Sequence, residues 1–104
     1  MQRGEIWWAE FPKPVGRRPV LILSRNRAVQ VRENITIAEI TRTVRKIPVE
    51  VLLSPAEGMP KHCAINLDVI NTVPKSVLIE NIAVLSPAKL EEVVLALKFA
   101  LDLP

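Results

Sequence analysis

The chain has 104 residues, a formal net charge of +3, 49% hydrophobic residues and one cysteine. That length fits a single domain, 1–104, the apolar share excludes a disordered chain, and the lone Cys63 excludes an internal disulfide framework. No apolar run reaches the ~18 residues of a membrane span, and Met1-Gln2-Arg3-Gly4 does not read as a signal peptide, so a cytoplasmic protein with no membrane partner is expected.

In chain order, Gly4 to Phe11 alternates roughly and predicts a strand, ended by Pro12 and Pro14, with a turn over Lys13 to Gly16. Trp7 and Trp8 are neighbours in that strand, so their rings point to opposite faces. One fills the core. The other lies near the surface, where base stacking and an interface contact are equally open readings. Pro19 to Ser24 is a short apolar run and predicts a central strand buried on both faces. Arg25 to Glu33 is polar and reads as a loop. Ile35 to Thr43 is rich in β-branched residues and predicts a third strand, Val49 to Leu53 a fourth, and Ser54 to Lys61 a loop.

Cys63 to Val73 has the clearest period of two. Ile65, Leu67 and Val69 share one face and Asn66 and Asp68 the other, and Asn71 on the apolar parity predicts a bulge or the end of the buried part. A short helical turn is expected within Lys75 to Asn81 and a last strand over Ile82 to Leu85. Ser86-Pro87 predicts a helix start, with Glu91 and Glu92 near its positive end. Leu90, Val93, Val94, Leu97 and Leu101 fall on one stripe. Leu95 and Phe99 fall on the opposite side, where they suit a subunit or partner contact. The expected class is mostly β (α+β): a small antiparallel barrel with a C-terminal helix packed on it.

Charge is one-sided. Residues 1–52 carry ten Lys and Arg against five Asp and Glu, residues 53–104 carry four against six, and all eight arginines lie at or before Arg45. An arginine-rich half suits an anionic partner such as nucleic acid, although arginines also simply solubilise strands. His62 and Cys63 are the only residues of their kinds, too few for a zinc site. The three glycines are scattered and build no phosphate-cradling loop. Arginine and hydroxyl chemistry remains. Arg18 precedes Pro19 and is held extended at a strand mouth, where a guanidinium fork can pair two phosphate oxygens. Thr41, late in the third strand, can offer a hydroxyl to the same phosphate. On spacing alone, a surface cap for Arg18 and a plain β-former for Thr41 are the stronger readings.

The pieces "RGEIWWAEFP", "RRPVLILSRN", "ITIAEITRT" and "NLDVINTVPKSVL", in that order, resemble the MazF/PemK (Kid-like) toxin family over nearly the whole length. The resemblance implies an SH3-like barrel working as a homodimer. It further implies a ribosome-independent, sequence-specific endoribonuclease of a bacterial type II toxin–antitoxin pair. Such a toxin needs no metal or other cofactor and inhibits growth until an acidic, partly disordered antitoxin neutralises it. By the same resemblance Arg18 is the key arginine, Thr41 the hydroxyl partner and Glu5 an RNA-site residue. Arg17, Arg25, Thr43, Asn71 and Lys75 complete the expected RNA contacts. Two departures stand out: Asn71 and Pro74 occupy the segment where some relatives carry an Arg and an Asp, and the turn "PKPVGR" is short.

Three rivals remain open on sequence. A non-cleaving RNA-binding module would need the same arginines but yield no new RNA ends. A gyrase-poisoning toxin on the same fold would act through the helix surface and show in a supercoiling assay. A degenerate, inactive relative is the third.

Overall fold

The computed structural model describes residues 1–104. Six strands form one antiparallel sheet: β1 (Glu5–Glu10), β2 (Arg17–Ile22), β3 (Asn34–Thr41), β4 (Glu50–Leu53), β5 (Cys63–Pro74) and β6 (Leu78–Val84). Two helices complete the fold, α1 (Asn26–Val31) and α2 (Pro87–Leu101). The spatial order is β4-β5-β3-β2-β1-β6. The sheet curls into a half-barrel with β4 and β6 at its edges, and α2 packs against β4 and β5.

Curling gives the sheet two apolar faces. On one, Ile6, Leu21, Ile40, Ile65 and Leu67 meet Val93 and Ala96 of α2. On the other, Val20, Ile22, Ile35 and Ile37 meet Val29 of α1 and Leu78 of β6. The period of two dictates this split: Leu21 serves one face and its neighbours Val20 and Ile22 the other, so β2 is fully buried there, as its apolar run predicts. Trp7 and Trp8 part as expected. Trp7 packs on the second cluster with its indole Nε1 donating to Glu5 Oε1 at 2.8 Å, and Trp8 turns to the opposite side.

Several expectations need correction. The stretch Arg25 to Glu33 holds a helix, α1, whose only buried side chains are Ala28 and Val29. It has no side-chain cap; the Lys75 ammonium donating to the Val29 carbonyl at 2.7 Å ties it down from outside. Val69 does not share the buried face of Ile65 and Leu67. Pairing with β3 jumps from Asn66↔Glu39 to Ile70↔Ala38, so residues 67–69 bulge and Val69 is exposed. The bulge precedes Asn71, which pairs with Ile37 in regular register. After a 3-10 turn over Lys75–Val77, β6 begins at Leu78, ahead of the expected Ile82.

In α2, Ser86 Oγ accepts from the Lys89 N–H at 3.1 Å and Pro87 opens the first turn, as its sequence predicts. Glu91 and Glu92 fall beyond that turn. The face on the sheet runs Leu90, Val93, Ala96, Leu97 and Ala100, while Leu101, one helical step on from Ala100, falls off the edge of that stripe and is exposed. Ser86→Ala removes the only side-chain acceptor at the helix start and is expected to cost about 1 kcal/mol in urea unfolding. An unchanged midpoint would mean that docking on the sheet alone holds the first turn.

Candidate functional site

β2 and β3 pair at Ile22↔Ile37, Leu21↔Ala38 and Val20↔Glu39, and there the ladder stops. Continuing that register sets Arg18 opposite Thr41. The strands part at this end, and between them opens a cleft of about 520 Å³. Its floor is apolar: Ile40, Met59 and Cys63, which belong to the main core, together with Pro19 and Pro60. Its rim carries Arg17, Arg18, Arg42 and Lys61, with the hydroxyls of Thr41 and Thr43, and Trp8 forms one wall. No carboxylate and no imidazole lines it. Four cations around an apolar floor make a site for a polyanion that carries flat apolar groups.

The two central side chains are only partly engaged. Arg18 Nε donates to the Val15 carbonyl at 3.4 Å, which anchors the stem and leaves both terminal nitrogens without a protein partner. Thr41 Oγ1 accepts from the Thr43 N–H at 3.1 Å. That bond fixes the hydroxyl and leaves its proton free to donate. A guanidinium fork and a hydroxyl donor on the same cleft match the oxygens of a tetrahedral phosphoryl group.

Both flanking loops are held from within. Beyond β3, the Glu50 carboxylate accepts from the backbone N–H groups of Arg45 and Lys46 at 2.8 and 3.1 Å and pairs with Arg45 Nη1 at 3.1 Å. This fixes the loop that carries Arg42 and Thr43. Before β5, a 3-10 turn over Pro55–Glu57 is closed by a Ser54–Glu57 capping box and ends in Gly58 at φ 94°. The conformation favours glycine, and a Cβ there would sit a tight 3.3 Å from that of Ala83. This turn delivers Met59, Pro60 and Lys61 to the cleft. Burial, helped by the Glu57 carboxylate, pushes the Cys63 thiol above its ordinary pKa, which favours the thiol over the thiolate.

The structure thus brings together Arg17, Arg18, Thr41, Thr43 and Trp8. It places other candidates elsewhere. Glu5 starts β1, with its carboxylate holding the Trp7 indole and lying 3.9 Å from the N-terminal amine. Arg25 stands exposed before α1, at the far end of β2. Asn71 donates from Nδ2 to Glu39 Oε2 at 2.9 Å, outside the cleft. Lys75 is committed to the Val29 carbonyl. Leu95 and Phe99 are exposed on the outer side of α2, at 60% and 63%. Sequence reasoning missed Arg42 and Lys61. Arg42 stands next to Thr41 in "EITRT", but only the parting of the strands turns it to the cleft, and nothing local marks Lys61. No three His, Cys, Asp or Glu side chains converge into a metal-ligating group.

Comparison with known proteins gives the family. Residues 2–101 match the family described as "PemK-like, MazF-like toxin of type II toxin-antitoxin system". The chain is 36% identical over 101 residues to the probable endoribonuclease MazF5 of Mycobacterium tuberculosis, covering 96% of this chain and 92% of the relative. It is 38% identical over 93 residues to the probable endoribonuclease MazF2 of the same species, covering 88% and 89%. Among solved structures, the Mycobacterium tuberculosis toxin MazF-mt6 superposes with a TM-score of 0.88 at 30% identity, covering 96% of this chain and 98% of that one. A mycobacterial endoribonuclease in complex with its cognate antitoxin superposes with a TM-score of 0.88 at 28% identity, covering 100% and 97%. A family match across nearly the whole chain, with relatives above 30% identity, settles the family: this chain belongs to the PemK-like, MazF-like toxins of type II toxin–antitoxin systems.

Proposed function

We propose that this toxin is a sequence-specific endoribonuclease that cleaves single-stranded RNA without a metal, and that the Arg18–Thr41 pair at the cleft mouth holds the scissile phosphate. The observation that carries the reading is the convergence of a free guanidinium fork and a free hydroxyl proton on a cation-rimmed cleft. RNA contains its own nucleophile. The 2′-oxygen attacks the adjacent phosphorus and forms a new O–P bond while the bond to the 5′-oxygen breaks. One proton leaves the 2′-hydroxyl and one reaches the departing oxygen. The products are a 2′,3′-cyclic phosphate and a 5′-hydroxyl, with no water consumed.

The chain's part is alignment and charge. Arg18 binds the non-bridging oxygens as negative charge builds on them, and Thr41 holds a third contact that fixes the phosphoryl group for in-line attack. Arg42 and Lys61 bind flanking phosphates, and the apolar floor accepts the sugar and base surfaces. The carboxylate at Glu5 is engaged elsewhere, and no carboxylate or imidazole lines the cleft.

The test is incubation of a long RNA in EDTA, with both new ends mapped. Cyclic phosphate and 5′-hydroxyl ends are expected. Ends carrying a 5′-phosphate, or cleavage abolished by EDTA, would contradict this chemistry, and binding without new ends would leave only an RNA-binding module. Affinity should also fall with salt. Three phosphate contacts predict a slope on the order of −2 in log K against log salt; a flat response would contradict a cation-lined RNA groove.

The partners proposed with this reading are RNA, a cognate antitoxin whose acidic segment competes for the same cations, and a second copy of the chain. Exposed Leu95 and Phe99 would serve as a subunit or antitoxin contact. A single unit over 1–104 acting in the cytoplasm fits this role, and no helix is long and apolar enough to cross a membrane.

A further inference from the structure

Arg17 and Arg18 are neighbours, yet they are engaged in different ways. Arg18 leaves its terminal nitrogens free. Arg17 donates from Nη2 to Glu80 Oε1 at 3.0 Å, and its guanidinium carbon lies 5.1 Å from the centroid of the Trp8 ring. The sheet register builds this cluster. Trp8 pairs with Pro19 of β2 on one side and with Glu80 of β6 on the other. Pro19, Trp8 and Glu80 therefore form one cross-strand row, and Arg17, two positions before Pro19, emerges on the same side. A solvent-exposed ion pair adds little to stability. What it does here is offset a positive charge on the wall of a cleft otherwise rimmed by free cations, and hold a planar guanidinium over an indole.

A charge-compensated stack of two flat groups is a poor phosphate clamp and a good platform for a nucleobase, which stacks on arginine planes as readily as on aromatic rings. Resting on the RNA reading above, we propose that Trp8 and Arg17 form a nucleobase subsite beside the scissile phosphate, with Glu80 as the positioning residue that keeps Arg17 on the ring instead of on a phosphate. Arg18, one residue along, takes the phosphate itself. A base seated on this wall fixes the register of the strand across Arg18, so the cluster contributes to the choice of cleavage site.

The experiment reads binding without turnover. A single-stranded 2′-O-methyl oligoribonucleotide, which lacks the attacking hydroxyl, is titrated while indole fluorescence is followed. Trp7→Phe leaves Trp8 as the only indole and is expected to show quenching. Trp8→Phe leaves Trp7 and is expected to show none. An abasic oligomer with the same number of phosphates should not quench Trp8. Removing the platform with Trp8→Ala, in protein with an unchanged far-UV spectrum, should weaken binding roughly 5- to 150-fold, the value of one stacked base. Glu80→Gln frees Arg17 for phosphate: binding of the abasic oligomer should tighten, its salt dependence should steepen by roughly 0.7 in slope, and the preference for the base-bearing oligomer should shrink. Equal quenching by the abasic oligomer, or quenching carried by Trp7, would overturn the proposal. So would a Glu80→Gln protein with unchanged preference and slope. Quenching of Trp8 in a protein that cuts no RNA would sink the nuclease reading and leave the subsite standing; cleavage with a silent Trp8 would do the reverse.

Discussion

Arg18→Ala is expected to lower the RNA cleavage rate by on the order of 10²–10³-fold, the usual loss when one preorganised donor to a developing oxyanion is removed. The fold should not change. Arg18 is exposed, and its side chain makes a single protein hydrogen bond, to the Val15 carbonyl. A surface substitution of this kind usually moves stability by within about 0.5 kcal/mol. Far-UV circular dichroism and the thermal midpoint check that half of the expectation. Arg18→Lys separates charge from shape: a point charge keeps part of the attraction but not the fork, so most of the loss should remain. Arg32→Ala removes an equal charge from the exposed end of α1 and controls for net charge. If Arg18→Ala and Arg32→Ala cleave at the same rate, the assignment of Arg18 fails.

Ile65→Ala is expected to have the largest effect on stability. Ile65 is fully buried on β5, pairs with Ile40 of β3 and Val51 of β4, and belongs to the cluster that meets α2. Truncation at such a site costs roughly 2–5 kcal/mol, transfer and cavity together. Native domains are stable by only about 5–15 kcal/mol. At fixed protein concentration the thermal midpoint should fall by on the order of 10 °C or more. The neighbouring strand residue Asp68, exposed on the bulge, gives the contrast: Asp68→Ala should stay near the parent midpoint. A small shift for Ile65→Ala would mean that α2 is not docked on the sheet as described.

The sequence made some elements easy to read and hid others for physical reasons. β1, β2, β3 and β4 carry alternation or apolar runs between prolines and polar stretches. α2 carries its own cap in Ser86-Pro87. In these segments the local signal and the tertiary environment agree. α1 has no such signal: Arg25 to Glu33 is polar, its first turn has no side-chain cap, and contacts from Val29 and Lys75 hold it. Tertiary contacts decide its conformation, so no local pattern could announce it. The bulge at 67–69 lies ahead of Asn71, where the sequence points to a bulge or the end of the buried part, for a related reason. Val69 continues the apolar parity of Ile65 and Leu67, and only the pairing with Ala38 and Glu39 reveals that three residues leave the ladder.

The site divides in the same way. Arg18 was legible because Pro19 fixes its backbone, and Thr41 because it ends an obvious strand, with the family resemblance giving both their roles. Arg42 and Lys61 were not legible, because the cleft arises where two distant loops meet beyond the last β2–β3 pair. Glu5 and Lys75 looked equally suited by charge. Each is instead engaged inside the fold, one by the Trp7 indole and the other by a carbonyl of α1. Residue type marks which groups can touch a phosphate; the internal hydrogen bonds decide which of them are free to.

The most direct measurement is a crystal structure of the protein with a single-stranded oligonucleotide carrying a 2′-deoxy substitution at its mapped cleavage site. The phosphate at that site is expected within hydrogen-bond distance of the Arg18 terminal nitrogens and of Thr41 Oγ1, with the RNA passing over Ile40 and Met59. A cleavage-site phosphate seated anywhere else on the surface, with Arg18 and Thr41 unoccupied, would contradict this.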